Sequence, residues 1–169
     1  MGRQKATPVG LTSPSIERTP RFPRGVPARG GCFVSPAPFK RPESVLVVIY
    51  AETGAILRLQ RRDPAGFWQS VTGSLEWSET ASEAACRELF EETGIRARPY
   101  RLRLCHRFPI AGPWRARYAP DVETNREYAF AIRVAAPVPN RLSAEHVRYR
   151  WCRPAEARTL AHSPTDRAV

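Results

Sequence analysis

No run of about 18 apolar residues, the length a helix needs to cross a bilayer, occurs in the chain, so no membrane span is expected. The first residues carry no apolar core of the signal-peptide kind, which argues against a secretory leader and for the cytoplasm. Cysteine is sparse. Cys32, Cys86, Cys105 and Cys152 show no C-x-x-C spacing, and Cys86 and Cys105 lie among apolar neighbours, so buried, reduced thiols are expected. His106, His146 and His162 fall into no metal-ligand pattern, and no internal repeat is visible. Acidic residues are few: 16 Asp and Glu against 27 Lys and Arg, a net charge of +11. Such an excess raises the question of nucleic acid. Its distribution argues against that for the domain, because residues 1–41 hold eight bases and one acid while the remaining 128 residues are nearly balanced. No basic stripe interleaved with aromatics accompanies it.

The 169 residues are 42% apolar, enough for the core of one domain. Residues 1–38 stand apart. Pro8, Pro14, Pro20, Pro23, Pro27, Pro36 and Pro38 interrupt them and no hydrophobic period survives, so a disordered basic extension is expected. It reads as an interaction arm or as read-through from an upstream start, and loosely as a transit peptide. From residue 39 the pattern is that of a folded domain ending at 169. SVLVVIY at Ser44–Tyr50 is a continuous β-branched run, predicting a central strand covered on both faces. Strands are also predicted over Ala55–Arg61, where Leu57 and Leu59 alternate with Arg58 and Gln60, and over Phe67–Gly73, Tyr100–Phe108, Glu127–Val134 and Val147–Trp151. Ile110–Arg126 reads as a long Pro/Gly-rich loop of the kind that closes over a ligand. Pro137–Leu142 reads as a turn and Pro154–Leu160 as a short helix.

Gly73–Ile95, GSLEWSETASEAACRELFEETGI, carries the most chemical information. Ser78 or Thr80 caps a helix that runs to about Thr93, where Gly94 stops it. Ala81, Ala84, Ala85, Leu89 and Ile95 give that helix one apolar stripe. Glu88, Glu91 and Glu92 share another face. Side chains three and four apart on a helix are neighbours, at about 5–6 Å between Cβ atoms, so three carboxylates repel there unless something cationic neutralises them. One reading is a solvated acidic face. The other is a site for a hard divalent cation such as Mg²⁺, which takes oxygen ligands and leaves positions open for phosphates.

The full spacing is Gly73, five residues, Glu79, seven residues, then Arg87-Glu88-Leu89-Phe90-Glu91-Glu92-Thr93-Gly94-Ile95. This resembles the Nudix box, G-x5-E-x7-R-E-apolar-x-E-E-x-G-apolar, at every defined position. The resemblance implies an α/β fold, a Nudix-type α/β/α sandwich with a central mixed β-sheet and a catalytic loop–helix–loop. It implies a hydrolase of phosphoanhydride bonds that uses Mg²⁺, with Mn²⁺ possible. Glu88 and Glu92 would be metal ligands, and Glu91 a ligand or the base that orients water. Glu79 and Arg87 would brace the loop against the helix, next to Gly73.

Flanking motifs narrow the resemblance. Lys40-Arg41-Pro42 before SVLVVIYA, then LQRR, FWQSVTGS, RYAP and Asn125-Arg126-Glu127 are similar to the branch of the family that cleaves dihydroneopterin triphosphate in bacterial folate synthesis. That similarity runs from Phe39 to the end. It implies cleavage at the α–β anhydride and substrate contacts at Lys40, Arg61, Thr72, Phe108, Pro109, Ile110, Ala111 and Ser163, with Glu145 as a third metal ligand. Taken as residues alone, Lys40 is equally a solvated lysine, Arg61 a partner of Asp63, and Glu145 a loop glutamate. Trp68 and Trp114 are candidates to stack on a flat ring, or core residues. The chain departs from the branch at Ser78, where glycine is usual, and in the small Ala111-Gly112-Pro113 segment. Ser163-Pro164 looks like a capped helix start, and the resemblance implies a longer helix there than the residues up to Val169 provide, hence a more open pocket. A small-molecule triphosphate substrate, a monomer and no membrane or nucleic-acid partner are expected. The other readings are a house-cleaning (d)NTP diphosphatase and, from a different class, a nucleotide- or RNA-binding module without catalysis.

Overall fold

The computed structural model describes residues 39–135 and 141–169. The expectations for residues 1–38, including Cys32, and for most of the turn at Pro137–Leu142 lie outside the described residues. In chain order the elements are β1 (Glu43–Ala51), β2 (Ile56–Arg61), β3 (Trp68–Gln69), β4 (Val71–Ser74), α1 (Ala81–Thr93), β5 (Tyr100–Pro109), α2 (Gly112–Arg115), β6 (Thr124–Val134), β7 (His146–Cys152), α3 (Pro154–Leu160) and α4 (Pro164–Ala168).

The β-branched run forms β1, and the mixed sheet is built outward from it. Along one edge β1 runs parallel to β6 from Glu43↔Arg126 to Ala51↔Val134. On the other edge it meets β2 at Tyr50↔Ile56 and then diverges. Residues 68–74 fill the gap, with β3 pairing β2 and β4 pairing β1. β7 takes the far edge of β2, and β5 closes the sheet on β6. The expected single strand Phe67–Gly73 is therefore two strands. Ser70 interrupts it, because its backbone N–H and its hydroxyl both donate to Asp166 of α4, at 2.8 Å each.

β1 is buried on both faces, as its sequence predicts. Val45, Val47 and Ile49 join Leu57, Leu59, Val71, Ala84, Ala85, Leu89 and Phe130 under α1, and Leu46 and Val48 join Ala131 on the opposite face. Each of the valine, leucine, isoleucine and phenylalanine side chains among these contributes about 1.5–3 kcal/mol by leaving water. The polar face expected of β2 is not solvated: Arg58 and Gln60 are 2% and 8% exposed. Arg58 donates to Asp166 Oδ1 at 2.6 Å and to the Ala157 carbonyl at 3.1 Å, which ties α3 and α4 to the face opposite α1.

Three further expectations are corrected. Cys105 is exposed because it lies on the edge strand β5, and Cys86 is half-buried, while Cys152 is buried as expected. The loop after β5 is shorter than expected and holds the helical turn α2, started by Pro113 and tied by Arg115 donating to the Ala119 carbonyl at 2.8 Å. Ser163 occupies the cap position of α4 without making the cap bond, its hydroxyl lying 2.7 Å from that of Thr165. Among the described residues no helix is long and apolar enough to cross a membrane.

Candidate active site

The helix α1 is locked at both ends by local sequence. Thr80 is the N-cap, and Thr80 and Glu83 form a reciprocal capping box. Gly94 ends the helix at φ 74°, a left-handed conformation that glycine adopts without strain. Ala84, Ala85 and Leu89 face the core, which turns the glutamates toward β4 and solvent.

Arg87 organises the loop before the helix. Its Nε and Nη2 grip both oxygens of Glu79 at 2.9 Å, and Nη2 also donates to the Ser74 carbonyl at 3.0 Å. Burial pushes Glu79 up, but Arg87 and the Glu76 backbone N–H outweigh it and hold the carboxyl below its ordinary range. Nη1 of Arg87 reaches Glu88 at 2.7 Å and Glu91 at 3.1 Å. Arg41 supports the same loop by donating to the backbone carbonyls of Glu79 and Glu76, at 2.9 and 3.2 Å. Sequence reasoning gave Arg41 no role, although it stands in the Lys40-Arg41-Pro42 motif.

Two carboxylates are pressed inward. Glu88 lies against Gly73, where a β-carbon would overlap the carboxylate. Burial raises its proton affinity above the ordinary range, against the pull of Arg87. Glu92 is 5% exposed and its Oε2 is buried with no hydrogen-bond partner. Burial, then the charges of Glu88 and Glu145, hold it well above the usual carboxylate range, with Arg61 and the Thr72 backbone N–H pulling the other way. The nearest possible counter-ion is His146, whose Nε2 is 3.8 Å from Glu92 Oε2. Burial and then Arg61 push His146 down to about 4, so it is neutral near pH 7 and leaves Glu92 uncompensated. His146 is 3% exposed, a buried neighbour of the site that its sequence position did not reveal.

One cleft of about 870 Å³ collects most of the expected residues. Gly73, Glu88, Glu91, Glu92 and Glu145 line it, as do Lys40, Arg61, Thr72, Phe108, Pro109, Ile110, Ala111 and Ser163. Arg87 and Glu79 do not line it; they sit behind the carboxylates and position them. Trp114 borders the cleft and Trp68 does not, its ring packing instead under Arg148. Lys40 donates to Ser74 Oγ at 3.4 Å, and burial, then Arg117, lowers its proton affinity. Arg61 donates to the Asp63 backbone carbonyl at 2.8 Å, and its Nη2 lies 3.4 Å from Glu145.

The expected metal ligands do not close on one point. Among the described residues no three His, Cys, Asp or Glu side chains are gathered tightly enough to hold an ion as they stand. Glu145 is the outlier: 66% exposed at its side chain, it turns to the cation nearest it, Arg61. The chemistry of the set nevertheless fits a hard divalent cation. It is all carboxylate oxygen, and one of those oxygens is buried without a partner, a costly arrangement that a cation would relieve.

The NUDIX domain family model matches residues 40–169. The chain belongs to the Nudix family. It is similar to the dihydroneopterin triphosphate diphosphatase of Escherichia coli strain K12, with 45% identity over 136 residues that cover 76% of this chain and 89% of that protein. The protein of that name from Haemophilus influenzae is 37% identical over 134 residues, covering 76% and 84%. Among solved structures, the E. coli dihydroneopterin triphosphate pyrophosphohydrolase aligns with a TM-score of 0.69 at 41% identity, covering 77% of this chain and 92% of that one. The mixed seven-stranded sheet with helices on its faces is the Nudix fold, and the chain is a Nudix pyrophosphohydrolase, an enzyme of phosphoanhydride bonds.

Proposed function

We propose that the protein hydrolyses dihydroneopterin triphosphate to the monophosphate and pyrophosphate, using Mg²⁺. The observation that carries this reading is the buried, unpartnered Glu92 carboxylate beside Glu88, in a cleft that also holds Lys40 and Arg61. Nudix hydrolases generally depend on a divalent metal. Here Glu88 and Glu92 would hold it, with Glu145 completing the set once it leaves Arg61. Bound there, the ion supplies neutralisation of the phosphate chain and acidification of the attacking water.

The remaining work falls to the chain. Arg61 and Lys40 bind the anionic phosphates, Arg61 by two donors and Lys40 as a point charge. Glu91, exposed toward the cleft and steadied by Arg87, accepts the proton of the attacking water. Water adds across the α–β anhydride, that P–O bond breaks, and pyrophosphate leaves as the anion. Arg87, held by Glu79, fixes the helix relative to Gly73 throughout. The matching E. coli and H. influenzae proteins support the choice of substrate by their names and their coverage.

The test is pyrophosphate release from dihydroneopterin triphosphate and from the dNTPs, with Mg²⁺ and with Mn²⁺. Turnover fastest on the pterin supports the reading. Turnover confined to dNTPs would replace it with a nucleotide diphosphatase, and none on any triphosphate would remove both.

A further inference from the structure

Away from the acidic helix the cleft holds a second set of buried polar atoms for which the fold provides no partner. Asn125 and Glu127 stand two residues apart on β6 and so face the same side of the sheet. Both line the cleft, and they are 4% and 6% exposed. Asn125 Nδ2 donates to Ser44 Oγ at 2.6 Å, which fixes the amide and leaves Oδ1 as a free acceptor. Thr165 and Ser44 bond to the Glu127 carboxyl, but its Oε1, like Asn125 Oδ1, is buried without a hydrogen-bond partner. His106 stands opposite Glu127 in the ladder but closes no bond to it, and its own Nε2 is unpartnered. A buried acceptor left unsatisfied is destabilising, so two such acceptors on a cleft floor call for a ligand.

The surroundings define that ligand. Phe108 lies directly across the antiparallel ladder from Asn125 and lines the cleft, as does Trp114. Aromatic walls suit a flat ring. A pair of acceptors suits a pair of donors, and a 2-amino-4-oxo-pyrimidine edge presents a ring N–H beside an exocyclic amine. Reduced pterins and guanine share that edge. Adenine places an acceptor nitrogen beside its amine and can satisfy only one of the two.

We propose that Asn125 and Glu127 are specificity residues that accept hydrogen bonds from the ring N–H and amine of a 2-amino-4-oxo-pyrimidine heterocycle. The inference rests on the cleft being the substrate site, but its first test needs no turnover. The wild-type protein is titrated with neopterin, guanosine and adenosine, with intrinsic tryptophan fluorescence as the readout. Neopterin and guanosine should each bind at least about tenfold more tightly than adenosine, the direction expected when a site built for donors meets an analogue lacking one. Equal affinities would overturn the proposal. In the second arm, Glu127→Gln and Asn125→Ala are compared with wild type for kcat/KM on dihydroneopterin triphosphate and dATP. The ratio of the two values should fall toward unity in variants whose melting temperature shows them folded. A folded variant in which both values fall by the same factor shows a structural role and defeats the assignment; variants that do not fold leave the wild-type titration to decide. Selective binding without pyrophosphate release from any triphosphate would end the proposed function while leaving this pair in place.

Discussion

Gly73 and Glu88 occupy one space: the Glu88 carboxylate lies where a side chain on residue 73 would begin. The parallel β1–β6 core and the β1–β4 pairing hold Gly73 rigidly, and Arg87 holds Glu88 from the other side. Gly73→Ala should therefore displace the carboxylate rather than the strand. A displacement of about 1 Å at a reacting centre costs about 100-fold in rate. The expected outcome is a loss of that order in kcat at saturating Mg²⁺, with a far-UV spectrum like that of wild type. Undiminished kcat would show that Glu88 works from another position.

Glu92 makes a prediction with opposite signs for stability and activity. Its folded carboxyl holds a proton at pH values where the unfolded one does not. Its contribution to the metal-free protein is thus a destabilisation that grows as pH rises from about 4.5 through its raised value. His146 works in the other direction: lowered from 6.5 to about 4, it costs stability as pH falls between those two values. Glu92→Gln removes the first effect and retains the second. The metal-free variant should melt a few degrees above wild type at pH 7, a gain of about 1 kcal/mol, with the difference shrinking toward pH 4.5. Activity should fall by more than about 100-fold. Because a divalent ion must displace protons from Glu88 and Glu92, Mg²⁺ affinity in wild type should rise with pH. Calorimetric titration in two buffers of different ionisation enthalpy measures the protons released.

Much of this arrangement was legible in the residues, and the exceptions share a cause. The run Ser44–Tyr50 announces a strand buried on both faces, and Ser78 or Thr80 at one end and Gly94 at the other mark α1, because capping and β-branching act over a few residues. The break at Ser70 could not be read, since its partner Asp166 is 96 residues away. The burial of Arg58, the exposure of Cys105 and the enclosure of His146 depend likewise on which elements pack together, and periodicity along one strand does not report that. At the site, the acidic ridge followed from helical spacing, whereas Glu145 entered only through resemblance. Asn125 and Glu127 entered only as part of the Asn125-Arg126-Glu127 motif and without a role: two polar residues on a strand alternate toward solvent as often as toward a cleft.

Arg87→Lys tests whether the brace behind the carboxylates matters as geometry or only as charge. Lysine keeps the positive charge beside Glu88 and Glu91 but cannot grip both oxygens of Glu79. Charge-assisted hydrogen bonds contribute about 1.5–3 kcal/mol each, so losing part of the grip should cost about tenfold or more in kcat/KM. The loss should appear in kcat more than in KM, because Arg87 does not line the cleft. A change confined to KM would place Arg87 against the substrate instead.

Arg58 and Asp166 supply the sharpest test of what holds the cleft's far wall. Their side chains are 3% and 0% exposed and 2.6 Å apart, and Asp166 also takes both donors of Ser70. Removing one member leaves an uncompensated buried charge, which typically costs about 3–5 kcal/mol. Asp166→Ala should lower stability by that amount in urea unfolding and release α4, which carries Thr165 and Ser163 on the cleft. The pair itself is another matter, since desolvating two charges can offset their attraction. The double variant Arg58→Met, Asp166→Leu should therefore recover much of the stability lost in Asp166→Ala, although Ser70 would still be without its acceptor. If the double variant is as unstable as the single one, the ion pair is not what anchors α4, and the Ser70 bonds carry the attachment.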